Sequence, residues 1–308
     1  MTATERPVWE LLPVPHPDVA PLPPAAPAGD GVRLLRGIPY GEIEGARPLE
    51  LDLWLPESGP GERPPLVLYV HGGAWRRGRR EDMGLRTRGW TPGPFARIAA
   101  AGFAVASVDY RLTGEAVFPA PLDDLRTALR WLTLRAAELG LDTARTVVWG
   151  ESAGGHLASL LALTGPRAEG AGGAEEAGVA PHVRGAVVWY GPSDLTTARG
   201  GFDPHNALLP EAQLLGAAPA AVPDLARAAS PLAQVSADAP PFLLVHGEAD
   251  TMVHLSHSEA LAAALDKAGA RAELWPVPGA DHGWHRLPEP QVEEIFTRSL
   301  AFATAAVN

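Results

Sequence analysis

A serine with one glycine two residues before it and another two residues after it is the clearest chemical signal in the sequence. The pattern Gly150-Glu151-Ser152-Ala153-Gly154 follows an apolar run and precedes an amphipathic stretch, which predicts a strand, a tight turn and a helix. Glycine suits the flanking positions because side chains there would collide with neighbouring backbones. A serine at such an apex can act as a nucleophile. An inert serine on a glycine-rich turn has the same spacing, so the pattern needs support elsewhere.

A base and an orienting carboxylate are needed as well, because a serine hydroxyl is a poor nucleophile near neutral pH. Two loops that follow predicted strands supply them, namely Gly247-Glu248-Ala249-Asp250 and Asp281-His282-Gly283. The carboxyl ends of parallel strands meet at one edge of a sheet. The order Ser152, Asp250, His282 is the order expected for such a sheet. We therefore predict that Ser152 attacks, His282 transfers the proton and Asp250 orients His282.

Three neighbouring residues are alternatives for the acid and the base. Glu248 is closer to the end of its strand and would point back along the sheet, and Asp281 adjoins the histidine that it would have to orient. His285 is a second candidate base. His156, one turn beyond the serine, is interpreted as a packed helix residue.

A metal centre is not predicted. His246, His254 and His257 have a spacing that is weak as a ligand pattern, so they are interpreted as structural or pocket-lining residues. The sequence contains no cysteine, which excludes disulfides, thiolate metal sites and a cysteine nucleophile.

The segment His71-Gly72-Gly73-Ala74-Trp75 supplies candidate donors for an oxyanion. Its small residues leave backbone amides free to face the site, and we predict an oxyanion hole formed by Gly73, Ala74 and Ala153. An ordinary glycine turn is the alternative. Alanine at position 74 keeps its amide available only if its φ angle is negative. Six arginines between residues 76 and 88 are interpreted as a solvated loop, with a positive rim for anionic substrates as the alternative.

Strands and helices alternate along most of the chain. Predicted strands cover residues 32–38, 49–55, 66–70, 103–108, 146–149, 185–190, 242–246 and 272–277, and predicted helices cover 94–101, 122–139, 156–164, 256–268 and 290–305. This alternation predicts an α/β fold with a mostly parallel sheet of about eight strands and helices on both faces. The period of two in residues 49–55 predicts a half-buried strand, antiparallel to residues 32–38.

Length and charge restrict the class of protein. The 308 residues are enough for one large α/β domain, and we expect a single domain over 32–308 after a proline-rich arm at 1–31. The net charge of −11 argues against nucleic acid as a partner. The sequence shows no secretory signal and no membrane-spanning run, so a cytoplasmic protein without a membrane partner is expected. A homo-oligomer is left open.

Two other stretches interrupt the alternation. Residues 169–178 are predicted to be a surface loop, and residues 194–241 a cap-like insertion over the site. The substrate pocket is predicted to include Trp75, Phe202, Leu214 and Trp284, which favours short acyl chains. The alternative is that the insertion only packs on the edge of the sheet. The arm is expected to be fixed by Trp9, Leu11 and Leu12, and to border the mouth of the site.

Taken together, these motifs resemble a known family. Over about residues 32–304 the chain resembles α/β-hydrolases of the hormone-sensitive-lipase and acetyl-esterase kind. The matching stretches are His71–Trp75, Asp109–Arg111, Phe118–Asp124, Gly150–Gly155, Pro240–Asp250 and Asp281–Gly283. The resemblance implies an α/β-hydrolase fold, no cofactor, and hydrolysis of carboxylic esters through an acyl-enzyme on Ser152.

One departure leaves the substrate class open. Ala74 stands where the family usually has a third glycine, and His-Gly-Gly-x-Trp also resembles kynurenine formamidases. The expected function is therefore a serine carboxylesterase for small to medium acyl groups. An arylformamidase, or a ligand-binding homologue without catalysis, is the alternative, and the presence of His282 argues against the second of these.

Overall fold

A nine-stranded sheet runs through the part of the chain described by the computed structural model, which covers residues 16–29, 31–59, 61–165 and 183–308. Its strands are β1 (Ala26–Pro27), β2 (Val32–Gly41), β3 (Leu49–Pro56), β4 (Pro65–Val70), β5 (Ala104–Val108), β6 (Asp142–Glu151), β7 (Val183–Trp189), β8 (Phe242–Gly247) and β9 (Ala272–Val277). The helices are α1 (Pro94–Ala100), α2 (Ala120–Leu134), α3 (Ala136–Leu139), α4 (Ala153–Thr164), α5 (Pro210–Leu215), α6 (Pro223–Ala228), α7 (Ser256–Ala268) and α8 (Glu289–Val307).

The strand order is β1-β2-β3-β5-β4-β6-β7-β8-β9. The pairs from β1 to β3 and the pair of β3 with β5 are antiparallel, whereas every pair from β5 to β9 is parallel. The predicted fold class and the predicted antiparallel pair at its start are therefore confirmed, with one strand more than expected. All carboxyl ends of the parallel strands meet at one edge, which brings the predicted site loops together.

Two hydrophobic clusters lie against the sheet, and each receives a different set of helices. One contains buried side chains of α2, α4 and α7, and the other contains those of α1 and α8. Strands β4, β7 and β8 are buried on both faces, which explains why their sequences are apolar without alternation. The α2 region differs slightly from expectation, because Arg135 separates it from the short α3.

Strand β3 corrects one prediction. Its alternating sequence predicted a half-buried strand, but the residues from Leu51 to Leu55 are all buried. Asp52 is only 1% exposed because its carboxylate accepts hydrogen bonds from the Gly37 amide at 2.8 Å and from Arg80 Nε at 2.9 Å. On the same face of the strand, Trp54 packs on Phe95 of α1, with ring centroids 4.6 Å apart. The face of β3 that the pattern predicted to be exposed is therefore buried, because its charge is paired and its aromatic ring packs on α1.

The segment from His16 to Ala20 lies along α2. The Trp131 indole donates to the Pro17 carbonyl at 2.9 Å, and Arg135 Nη1 donates to the Ala20 carbonyl at 2.7 Å. The predicted anchors Trp9, Leu11 and Leu12, and the predicted loop 169–178, lie outside the described residues. None of the helices in the described ranges combines the length and the apolar character that crossing a membrane requires.

The segment between β7 and β8 packs on α4. Besides α5 and α6, it contains two 3-10 turns, Pro219–Ala221 and Pro231–Gln234. The carbonyl of Ala229 in this segment lies 2.6 Å from His156 Nε2 on α4, and the Leu214 carbonyl accepts a hydrogen bond from the Phe118 amide at 2.8 Å. The segment therefore contacts the helix that begins directly after Ser152.

Candidate active site

Ser152 lies at the end of β6 and immediately before α4, at φ 51° and ψ −122°. This backbone conformation is strained for a residue with a side chain. A Cβ at position 150 would lie 2.3 Å from the Gly154 carbonyl oxygen, and a Cβ at position 154 would lie 2.1 Å from the Val70 carbonyl oxygen. The Ser152 amide donates to the Trp189 carbonyl at 2.8 Å. Glycine is therefore required on both sides for the steric reason inferred from the sequence.

The structure brings Ser152, Asp250 and His282 together. His282 Nε2 lies 3.0 Å from Ser152 Oγ, and His282 Nδ1 lies 2.8 Å from Asp250 Oδ2. An ionised carboxylate only accepts hydrogen bonds, so Nδ1 carries the proton and Nε2 offers its lone pair to the serine hydroxyl. This arrangement is able to remove the hydroxyl proton as the oxygen attacks.

Asp250 is held in one orientation by its own loop. Its Oδ1 accepts hydrogen bonds from the Met252 amide at 2.9 Å and from the Val253 amide at 2.8 Å, while Oδ2 faces His282. Burial by itself would raise the pKa of Asp250, but the nearby N–H groups of His246 and His282 outweigh burial and hold that pKa below its ordinary value. The carboxylate therefore remains ionised at neutral pH.

The rival acid and base residues occupy other places. Glu248 and His285 are exposed on the surface. Asp281 instead accepts three hydrogen bonds on Oδ1, from the Thr251 amide and hydroxyl at 2.9 Å each and from the His282 amide at 2.8 Å. It ties the loop of the acid to the loop of the base, which the sequence did not indicate.

A buried carboxylate next to the serine is a second feature that the sequence did not single out. Tyr190 Oη donates to Glu151 Oε2 at 2.5 Å, and the Tyr190 ring packs against the His282 ring with centroids 4.7 Å apart. Burial raises the pKa of Glu151, and the hydrogen bond from Tyr190 opposes part of that rise. Tyr190 follows β7 directly and has a strained backbone, with φ 42°. Its ring supports the imidazole of His282.

The predicted oxyanion turn has a left-handed backbone. Gly73 has φ 121°, and Ala74 and Trp75 each have φ 55°. A Cβ at position 73 would lie 2.1 Å from the Arg77 carbonyl oxygen, so glycine is required there. Ala74 thus has a positive φ, so the condition of a negative φ stated for its amide is not met. The left-handed helical well is accessible to alanine at a cost of about 1–2 kcal/mol.

The amides of this turn are nevertheless available. Within the described ranges, neither the Gly73 nor the Ala74 amide donates to another group of the chain. Ala153 is the first residue of α4, so its amide has no partner within the helix. The Gly73, Ala74 and Ala153 amides therefore have no acceptor among the described residues and remain candidates for the oxyanion hole.

Comparison with known proteins identifies the family. A family model described as BD-FAE matches residues 51–265, more than half of the chain. The chain belongs to the BD-FAE family. Its relatives are α/β-hydrolase esterases, which confirms the resemblance inferred from the motifs.

Three relatives illustrate the similarity. Esterase LipQ of Mycobacterium tuberculosis is 34% identical over 251 residues, covering 80% of this chain and 56% of that protein. An ethyl acetate hydrolase of Pseudomonas putida is 30% identical over 242 residues, covering 75% of this chain and 70% of that protein. The solved structure of a truncated carbohydrate esterase from gut microbiota is 29% identical with a TM-score of 0.74, covering 89% of this chain and 96% of that chain. The chain spans little more than half the length of LipQ.

Four side chains that were predicted to line the substrate pocket of this BD-FAE chain are buried. Trp75, Phe202, Leu214 and Trp284 are 2%, 8%, 0% and 1% exposed. The first three belong to the cluster that contains α4, but Trp284 packs on Tyr190 in the other cluster and does not face the insertion as predicted. These residues offer little surface to a substrate. They form the packing behind the site, because each is covered by neighbouring aromatic or helical residues.

His156 is hydrogen-bonded through both ring nitrogens. His156 accepts a hydrogen bond on Nδ1 from the Trp75 indole at 3.2 Å and donates from Nε2 to the Ala229 carbonyl. Burial lowers the pKa of His156 to about 4, so it is a neutral packed residue, as expected. The described ranges contain no group of three or more histidines and carboxylates arranged to hold a metal ion.

The arginines after the oxyanion turn fall into two groups. Arg80, Arg86 and Arg88 form ion pairs with carboxylates, and Arg80 alone contacts Glu50, Asp52 and Asp109. By contrast, Arg76, Arg77 and Arg79 are exposed and form no ion pair within the described ranges. The solvated-loop interpretation fits these three. Of the other group, Arg80 fixes the loop to β3 and Arg86 fixes it to α8, while Arg88 pairs with Asp82 inside the loop.

Proposed function

We propose that this chain is a serine carboxylesterase that hydrolyses esters of small to medium acyl groups through an acyl-enzyme. The observation that carries the proposal is the hydrogen-bonded chain from Asp250 Oδ2 to His282 Nδ1 and from His282 Nε2 to Ser152 Oγ. Each atom has the protonation state that nucleophilic attack requires. The esterase relatives in the BD-FAE family support the same reaction class.

Ser152 Oγ attacks the carbonyl carbon of the ester while His282 Nε2 removes the hydroxyl proton. The amides of Gly73, Ala74 and Ala153 hold the oxygen that becomes negative. His282 then gives the proton to the alkoxy group as its bond to carbon breaks, which leaves the acyl group on Ser152. Water attacks the acyl carbon in the second half of the cycle, and the proton transfers repeat in the same order.

Short acyl chains are proposed because the segment between β7 and β8 packs on α4. The hydrogen bond between His156 and the Ala229 carbonyl holds this segment against α4, which begins directly after Ser152. The bond from the Phe118 amide to the Leu214 carbonyl holds it to the chain just before α2. Each methylene adds at most about 0.8 kcal/mol of binding free energy until it meets a wall. We expect the highest kcat/KM for acyl chains of about two to six carbons, in line with that limit.

A panel of p-nitrophenyl esters from acetate to palmitate, with N-formylkynurenine beside it, tests the proposal. Ser152→Ala should abolish turnover while the protein stays folded, and a fluorophosphonate should label Ser152 alone in the wild-type protein. A maximum at long acyl chains would contradict the proposed preference for short ones. Faster turnover of N-formylkynurenine than of any ester would show that the chain is an arylformamidase and not an esterase. Full activity of the Ser152→Ala variant would show that Ser152 is not the nucleophile.

A further inference from the structure

A fully buried histidine lies behind the acid of the triad. His246, in β8, is 0% exposed, and its Nε2 lies 3.4 Å from Asp250 Oδ2. The same oxygen accepts the hydrogen bond from His282 Nδ1 at 2.8 Å. Two histidines therefore approach the same carboxylate oxygen, His282 as a hydrogen-bond donor and His246 at a longer distance.

The other contacts of His246 determine which of its nitrogens carries the proton. Nε2 lies 2.7 Å from the Val253 carbonyl oxygen, and a carbonyl can only accept, so Nε2 is protonated. Nδ1 lies 2.7 Å from Ser258 Oγ and accepts the hydroxyl proton. The Nε2–H therefore bonds to the Val253 carbonyl, and Asp250 Oδ2 lies 3.4 Å from the same nitrogen, close enough to interact electrostatically with its partial positive charge.

We propose that His246 is a positioning residue that acts through Asp250, with the Val253 carbonyl fixing its tautomer. The inference rests on the proposed function, because it concerns the same triad. The two backbone amides on Oδ1 already set the orientation of Asp250. The contribution of His246 is therefore electrostatic, since its N–H withdraws part of the negative charge that Oδ2 presents to His282.

Removing the N–H of His246 should change the pH at which His282 loses its proton, and the direction of that change can be predicted. Without the Nε2–H, Oδ2 attracts the protonated form of His282 more strongly, so the ring holds its proton to higher pH. His282 must be neutral to act as a base, so the acid limb of kcat/KM moves to higher pH. We expect a shift of about half a pH unit, equal to roughly a threefold loss of rate below the limb.

Other charged groups face the two histidines and must remain unchanged in the test. Besides Asp250, the groups that face His282 are Glu151 and Tyr190 from the ends of β6 and β7, and Asp281 from its own loop. His257 interacts electrostatically with His246 and also with Asp194, Arg199 and His254, and Asp194 pairs with Arg199. None of these is altered by a substitution at position 246.

The experiment compares His246→Leu with His246→Gln. The amide nitrogen of glutamine reaches the position of Nε2, so Gln should keep the wild-type pH profile, whereas Leu should move the acid limb upward. His257→Leu is the matched control, because His257 is an equally buried histidine whose ring bonds to the Ser193 amide at 3.2 Å. A loss of stability alone lowers the amount of active protein but does not shift the acid limb of the pH profile of kcat/KM.

The readouts are the pH dependence of kcat/KM for p-nitrophenyl butyrate and the ¹⁵N NMR titration of the His282 ring. The titration needs no turnover, so it tests His246 even if the wild type proves inactive, an outcome that would refute only the proposed function. If His246→Leu fails to fold, His246→Met, which also removes the Nε2–H but keeps an unbranched side chain, should give the same upward shift. An unchanged titration in folded His246→Leu or, failing that, in His246→Met would overturn the proposal, as would equal shifts in the Leu and Gln variants.

Discussion

Replacing Asp250 by asparagine is the most informative perturbation of the triad, because the structure determines which way the new amide must face. Oδ1 accepts two backbone N–H bonds, at 2.9 and 2.8 Å. Each is worth about 0.5–1.5 kcal/mol, so the asparagine oxygen takes this position. Its NH₂ group then faces His282 Nδ1, which must accept instead of donate. The proton moves to Nε2 and blocks the lone pair that removes the Ser152 proton.

The change of tautomer in His282 determines how far kcat should fall. An imidazole in the wrong tautomer cannot act as a base, and kcat should fall by roughly 10³- to 10⁴-fold, or about 4 to 5 kcal/mol in the activation free energy. The assay is kcat for p-nitrophenyl butyrate, with ¹⁵N NMR to identify the protonated nitrogen of His282. Glu248→Gln is the control and should keep wild-type activity, because Glu248 is exposed. An Asp250→Asn variant that keeps a tenth of kcat would refute this reasoning.

The same substitution has a pH-dependent effect on stability. The pKa of Asp250 is held below its ordinary value in the folded state, so the carboxylate stabilises the fold above about pH 4. This contribution disappears as the pH falls through the folded-state pKa. The difference in unfolding free energy between wild type and Asp250→Asn should therefore be largest at neutral pH and shrink in acid. A difference that grows in acid would contradict the assignment of an ionised carboxylate.

Two further variants test the surroundings of Ser152. Burial raises the pKa of Glu151, so its ionised form destabilises the fold at neutral pH and not below the ordinary carboxyl pKa. Glu151→Gln should raise Tm at pH 8 and leave it unchanged near pH 4, whereas an equal change at both values would show that charge is not the cause. Gly154→Ala should remove activity and lower Tm, because its Cβ would lie 2.1 Å from the Val70 carbonyl oxygen. A fully active, stable alanine variant would show that the turn tolerates a side chain.

The fold could be predicted largely because its signals are local. Continuous apolar runs gave the central strands, and the glycines around Ser152 follow from contacts with adjacent backbone. Strand β3 was misjudged because burial of Asp52 depends on Arg80, a partner 28 residues away. Periodicity within a strand contains no information about such a partner.

The candidate site, like the fold, could be predicted only where its signals are local in the sequence. The residue types of the triad stand in recognisable loops, but the supporting residues His246, Asp281 and Tyr190 are defined by contacts between loops. The predicted pocket was the weakest element, because apolar residues near a site look alike in sequence whether they line a cavity or pack behind it. Trp284 shows this, since its ring lies on Tyr190.

The contact between residues 17–20 and α2 affects how the protein can be handled. The pyrrole N–H of Trp131 and the guanidinium of Arg135 both bond to carbonyls of this segment, and the two side chains are 0% and 7% exposed. A shortened protein that starts at residue 32, the domain boundary expected from composition, would uncover the indole beside Leu134, which is already 47% exposed. Such an apolar surface promotes self-association. Solubility, more than catalysis, should therefore decide where the protein can be trimmed.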